Sequence, residues 1–188
     1  IFQIVEEDIL PLEQDFLMNG FVHVLSQLNE CRKKVKEQGF WTPYLSDEYG
    51  GMGLTLVEFA AVSELLGKTP LGHYCFNSQA PDIGNIELLK DHGSDQLKSE
   101  FLLPLISGEI RSCFGMTEPQ RPGSNPTWMD TLAVRDGDDY VINGNKWFTS
   151  AADGASICVV MAVTDPEAEN KYERASMFVV PLDNPGFK

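Results

Sequence analysis

The residues best suited to chemistry lie together in Ser112-Cys113-Phe114-Gly115-Met116-Thr117-Glu118-Pro119-Gln120-Arg121-Pro122-Gly123-Ser124-Asn125. Thr117 and Ser124 offer compact hydroxyls that donate or accept hydrogen bonds. Gly123 lets a ligand approach the backbone closely, and Glu118 adds a carboxylate beside them. Loops held by rigid elements are where binding groups concentrate. On these residues alone two readings stay open: a ligand-binding loop, or a polar linker between two differently patterned halves.

Other chemistries find less support. The four cysteines, Cys31, Cys75, Cys113 and Cys158, form no C-x-x-C pair and are expected to be reduced and buried. The three histidines, His23, His73 and His92, share no ligand spacing with them or with one another, so no metal site is expected. A net charge of -14 argues against nucleic acid and against an anionic membrane surface. No apolar run reaches the roughly 20 residues needed to cross a bilayer. The 188 residues, 43% hydrophobic and 22% charged, suit one domain or two small ones.

The elements that must hold the loop change period across it. Before it, Ile1, Val5, Ile9 and Leu12 recur at helical steps, with Pro11 expected to kink or end that helix. Val24, Leu28, Cys31 and Val35 form a second stripe ended by Gly39, with Arg32, Lys33, Lys34 and Lys36 expected on its wet side. The aromatic and glycine-rich stretch 40–53 reads as a shaped turn. Thr55 and Glu58 have capping-box spacing for a helix through about Leu66, closed by Gly67. A helix from Pro81 to His92 should stop at Gly93. Another starts at Ser94, buries Leu97, Phe101, Leu102, Leu105 and Ile106, and ends at Gly108. After the loop the period becomes two. Thr131 to Arg135, Tyr140 to Ile142 and Lys146 to Thr149 read as a three-stranded meander, with turns at Asp136-Gly137 and Asn143-Gly144. Ile157 to Val163 and Met177 to Val180 complete about five antiparallel strands, with 167–174 an exposed, mobile loop between them.

This order of motifs resembles the acyl-CoA dehydrogenase family. Asp47-Glu48-Tyr49-Gly50-Gly51-Met52-Gly53-Leu54 is similar to its Glu-Tyr-Gly-Gly-x-Gly loop. Gly93-Ser94-Asp95-Gln96-x-Lys98 with Leu103-Pro104-x-x-x-Gly108-Glu109 resembles its approach from helix to sheet. Cys113 to Asn125 resembles its flavin signature, and Tyr140-Val141-Ile142-Asn143-Gly144-Asn145-Lys146-Trp147 its second flavin-contacting segment. The sequence departs from the family pattern with Asn125 after Gly123-Ser124, a loop one residue longer, and Phe148 where a tryptophan is usual.

The resemblance implies an α+β multidomain protein: an N-terminal all-α helical bundle over 1–111, then an antiparallel β domain over 112–188, an incomplete β-barrel. It implies FAD along the β domain, with Phe114, Met116, Thr117, Phe148 and Ser150 toward the flavin ring. Gly123 and Ser124 belong to the same cofactor set, Ser124 near the pyrophosphate and also a substrate contact. Without the resemblance, Phe148 reads as a packed strand aromatic. The implied reaction is α,β-desaturation of an acyl-CoA thioester in fatty-acid β-oxidation. Its catalytic glutamate is expected from a C-terminal four-helix domain that this chain lacks, so no catalytic residue is assigned here and the fragment alone is expected to be inactive. Glu118 is read as a loop-orienting carboxylate rather than that base. Electron-transfer flavoprotein is the implied acceptor, and a homodimer or homotetramer the implied assembly. The expected location is bacterial cytoplasm, alternatively a mitochondrial or peroxisomal matrix. An acyl-CoA oxidase-like enzyme and a non-catalytic protein on the same fold are the competing readings.

Overall fold

The computed structural model describes residues 1–123 and 125–188. They divide into two compact units, Ile1–Ile83 and Gly84–Lys188.

In the first unit the chain opens with α1 (Phe2–Ile4), a π turn (Val5–Ile9), a 3-10 turn (Leu10–Leu12) and α2 (Glu13–Asn19). Pro11 cannot donate to an α ladder. The helical run therefore changes winding around it rather than stopping. Helix α3 (Phe21–Glu37) buries Val24, Leu28, Cys31 and Val35. Its end follows from Gly39, whose φ of +71° turns the chain so that the Phe40 N–H reaches the Val35 carbonyl at 3.0 Å. The expectation that Arg32 is solvated is overturned: it is only 7% exposed. Leu28, Arg32 and Val35 stand four and three residues apart, so Arg32 belongs to the buried stripe. Its flat, weakly hydrated guanidinium lies over the rings of Trp41 at 4.7 Å and Tyr74 at 4.4 Å. Helix α4 (Leu56–Leu66) begins with the expected reciprocal cap between Thr55 and Glu58, and the short α5 (Gly72–Cys75) packs on α3.

The second unit takes up α6 (Asp82–His92) from Gly84 onward, α7 (Asp95–Leu97), a π turn (Lys98–Leu102) and α8 (Leu103–Ser107). Ser94 caps α7, and Gly108, at φ +73°, ends α8. The strands β1 (Ser112–Gly115), β2 (Leu132–Asp136), β3 (Asp139–Asn143), β4 (Ile157–Val163) and β5 (Ala175–Pro181) form one open sheet in the order β1-β4-β2-β3, with β5 on the other side of β4. The apolar run Ile157 to Val163 occupies the middle of this sheet, as its lack of alternation requires.

Three features of the sheet correct the meander. First, β1 and β2 both pair with β4 in parallel, while β2–β3 and β4–β5 are antiparallel. Second, the apolar run Ser112 to Gly115 is itself a strand. Third, Lys146 to Thr149 is not one. Phe148 and Ala151 take φ values of +52° and +65°, which no strand accommodates. Because β5 covers all of one edge of β4, β1 and β2 share the other. β1 pairs with residues 157–160, and β2 pairs with β4 at its far end through Leu132 and Val163. The segment between β1 and β2 leaves the sheet edge in that gap, and this segment contains the loop rich in chemistry. Segment 167–174 is largely exposed and is shaped by Asn170, which caps a 3-10 turn, and by the Arg174 Nε–H donating to the Ala168 carbonyl at 3.0 Å.

Candidate functional site

The base of the site is β1. Asn85 on α6 is 2% exposed and donates from Nδ2 to the Ser112 hydroxyl at 2.9 Å and the Cys113 carbonyl at 3.2 Å. The strand is thereby fixed to a helix before the loop begins. Phe114, half-buried, pairs across to Val159. A side chain at Gly115 would meet Cys158 Sγ at 3.3 Å and Lys146 Cγ at 3.4 Å, so glycine lets the lysine stem cross the strand.

Beyond β1 the chain is held by two groups working together. Glu118, 4% exposed, receives the Asp130 N–H at 2.5 Å, the Thr131 N–H at 2.9 Å and the Thr131 hydroxyl at 2.5 Å. The Lys146 ammonium donates to Glu118 Oε1 at 2.9 Å and to the Met116 carbonyl at 3.0 Å. Burial pushes the Glu118 carboxyl upward, but the Thr131 hydroxyl, the Asp130 N–H, the Lys146 ammonium and the Thr131 N–H outweigh it. The net result is a carboxyl held down at about 2. Glu118 thus orients its loop, as the sequence suggested.

This clamp brings distant segments together. The Trp147 N–H donates to the Thr117 carbonyl at 3.0 Å, joining 116–118 to 146–148. A side chain at Gly144 would fall 2.1 Å from Thr131 Oγ1. The Asn143-Gly144 pair therefore does not turn the chain into a third strand but makes room for Thr131 to reach Glu118. Gly123 is likewise packed on Thr117: an added Cβ would stand 2.8 Å from its methyl group. Asn125 Oδ1 receives the N–H and hydroxyl of Thr127, and Arg121 forks onto Asp130. Ser124 lies outside the described residues.

Of the residues singled out from sequence, Met116, Thr117 and Gly123 come together, and the clamp sets Trp147 and Phe148 beside them. Phe148 is not the packed strand aromatic that its surroundings suggested. It is 78% exposed, held out in a left-handed conformation, with its ring centroid 4.4 Å from that of Trp147. Ser150 follows, exposed, its N–H bound to the Phe148 carbonyl at 2.9 Å. Among the described residues, none hydrogen-bonds the Thr117 or Ser150 hydroxyl. Half-buried or exposed hydroxyls beside an exposed aromatic pair suit a planar ligand with polar edges.

Sequence reasoning missed Asn85, Thr131 and the clamping role of Lys146. Lys146 had a signal, since a lysine among Tyr140, Val141, Ile142, Trp147 and Phe148 needs a reason to be there. Asn85 had none.

Comparison with known proteins places the chain among relatives. The N-terminal domain model of the acyl-CoA dehydrogenases matches residues 2–109, and their middle domain model matches 113–188. A probable acyl-CoA dehydrogenase, FadE2, from Mycobacterium tuberculosis is 42% identical over 162 residues, covering 85% of this chain and 39% of the relative. The structure of a putative acyl-CoA dehydrogenase from Mycobacterium abscessus superposes with a TM-score of 0.90 at 34% identity, covering 98% of this chain and 49% of that one. A glutaryl-CoA dehydrogenase from Mycobacterium smegmatis, solved in complex with FADH2, gives a TM-score of 0.72 at 28% identity, over 100% of this chain and 45% of that one. The chain therefore spans less than half the length of each of these proteins. With both domain models matched in order along nearly its whole length, the chain belongs to the acyl-CoA dehydrogenase family.

Proposed function

We propose that this chain is the flavin-holding portion of an acyl-CoA dehydrogenase that desaturates an acyl-CoA thioester between its α and β carbons. The observation that carries the proposal is the clamp. Lys146 and Glu118 draw 116–118 against 146–148 and leave the Trp147–Phe148 pair facing outward. The FADH2 complex of the glutaryl-CoA dehydrogenase relative supports FAD as the group it receives.

In this reading the residues that hold FAD are Phe114, Met116, Thr117, Gly123, Ser124, Phe148 and Ser150, with Ser124 also toward substrate. Bound FAD supplies the two-electron acceptor for the hydride leaving the β carbon. The chain's own part is placement. Thr117 and Ser150 bring hydroxyls that hydrogen-bond a neutral heterocycle without adding charge. Phe148 offers a flat apolar face that keeps water from the reacting edge. Lys146 is paired with the Glu118 carboxylate and also held by the Met116 carbonyl, so it stiffens the site while its charge is offset by its partner. Glu118 holds four hydrogen bonds and is ionised far below neutral pH, so it is not the α-proton base. We assign that base to a glutamate beyond residue 188, in the C-terminal domain of the full-length protein, with the family's domain boundary between 111 and 112. Electron-transfer flavoprotein is the proposed acceptor of the electrons, and a homodimer or homotetramer the proposed assembly.

The test is a visible spectrum of the full-length protein, repeated after anaerobic addition of acyl-CoAs of graded length. Flavin bands that bleach with one chain class are expected. A colourless protein that takes up no added FAD would overturn the proposal. Rapid oxygen consumption during turnover would assign the electrons to oxygen instead of a flavoprotein partner.

A further inference from the structure

The four cysteines, scattered in sequence, come together in space as two pairs. Cys113 and Cys158 are register partners on β1 and β4, both almost wholly buried in the sheet. Cys31 on α3 and Cys75 on α5 belong to one buried cluster of the first unit, where the two helices pack together. The two pairs differ in access. Cys75 is fully buried, but Cys31 is 6% exposed and borders a surface hollow together with Asp8 and Lys34. Its thiol also reaches the Asp8 carbonyl at 3.6 Å. The Cys75 thiol favours the Cys31 thiolate, and Lys34 adds to this against burial and Asp8. Cys31, with burial, pushes the Cys75 thiol up.

We propose that Cys31 and Cys75 are a reversible oxidation site for hydroperoxides, Cys31 being oxidised first and Cys75 resolving it as an intramolecular disulfide. The Cys31 sulfur takes the outer oxygen of the peroxide, whose O–O bond breaks to release water (or an alcohol) and leave Cys31 as a sulfenic acid. The Cys75 sulfur then attacks the Cys31 sulfur. The S–O bond breaks, and hydroxide leaves with the Cys75 proton as a second water. Two thiols lose two electrons and two protons, and the peroxide is reduced by the same two electrons. A thiol reductant reverses the bond. The link would tie α3 to α5 beside Arg32, which already donates to the Tyr74 carbonyl at 2.7 Å, so the two elements are held in register before any bond forms.

The test exposes the full-length protein to graded hydrogen peroxide, alkylates the remaining thiols and maps peptides without reduction. A Cys31–Cys75 linked peptide is expected at lower peroxide than any other cysteine product, and dithiothreitol should remove it. Cys31→Ser should abolish it, whereas Cys113→Ala should leave it intact. Should Cys75→Ser fail to fold, Cys31→Ser carries the test alone, since its position is at the edge of the hollow. A Cys113–Cys158 link appearing first, a sulfinic acid accumulating at Cys31 in place of the link, or both Cys31 and Cys75 alkylated at full yield would each overturn the proposal.

Discussion

Arg32 in the helical unit and Lys146 beside the sheet are both cations withdrawn from water, yet they are satisfied by opposite means. Arg32 lies over two aromatic faces and donates to a carbonyl. Lys146 meets a carboxylate that is 97% buried, and the pair sits at the centre of five hydrogen bonds. An aromatic face attracts a cation at every pH, whereas a carboxylate does so only when ionised. The two rings and the carbonyl that hold Arg32 do not themselves titrate. The site holds Lys146 with a pair that fails as a unit if either member is lost.

The largest effect should come from Glu118→Ala, which strips the acceptor from Asp130, Thr131 and Lys146 together and leaves a buried ammonium without its anion. The expected cost is about 3–5 kcal/mol of unfolding free energy, read from urea denaturation of the full-length protein. Glu118→Gln keeps an acceptor and should cost about half as much. Acidification sharpens the contrast. The folded carboxyl lies at about 2, below its ordinary 4.5. Its stabilisation is thus complete above about 4.5 and is lost as pH falls through about 2. The stability difference between wild type and Glu118→Gln should shrink across that window. A difference that is flat from pH 5 to 2 would refute the clamp.

Lys146→Met comes next. Glu118 keeps its donors from Asp130 and Thr131, so a cost of about 2–3 kcal/mol is expected, less than for loss of the carboxylate. The acid midpoint should also move upward, because one of the groups lowering the Glu118 carboxyl is gone. Arg32→Ala should follow at about 1–3 kcal/mol, from lost cation–π contact and lost packing over Trp41 and Tyr74. Its cost should be the same at pH 7 and pH 4. A strong pH dependence there would mean that a carboxylate, not the rings, carries the interaction.

The same two regions show what sequence can and cannot disclose. The capping box at Thr55, the glycine stops at Gly39 and Gly108, and the continuous apolar strand at Ile157 were legible because each depends on residues a few positions apart. Arg32 was misread although its spacing from Leu28 and Val35 was visible, because a cation on a buried face needs a partner that lies 42 residues away. The sheet order was hidden for a similar reason. Parallel pairing of β1 with β4 joins residues 45 apart, and nothing local encodes it. Asn143-Gly144 carried a true local signal with a different cause: Thr131, not a hairpin, needs the missing side chain. The loop that opened as either linker or binding segment is tied by Lys146, whose two contacts lie 28 and 30 residues upstream. A binding loop can thus be suspected from its hydroxyls and glycine, but its shape is set by a cation on a later segment.

The smallest effect on stability is expected at Phe148, and it separates a packing residue from a ligand-facing one. The ring is 78% exposed and touches Trp147, so truncation removes little buried area. Its backbone sits at φ +52°, which costs a bulky residue about 1 kcal/mol and glycine almost nothing. Glycine also widens the unfolded ensemble, which takes back part of that gain. Phe148→Gly should therefore change unfolding free energy by between zero and about 1 kcal/mol in the stabilising direction. FAD affinity of the full-length protein should fall in the same variant. A strained exposed aromatic that stabilises nothing is explained if the strain is kept for a ligand. If Phe148→Gly instead destabilises the fold by more than about 1 kcal/mol and leaves flavin binding unchanged, the aromatic pair belongs to the fold, and the site must be rebuilt around Thr117 and Ser150.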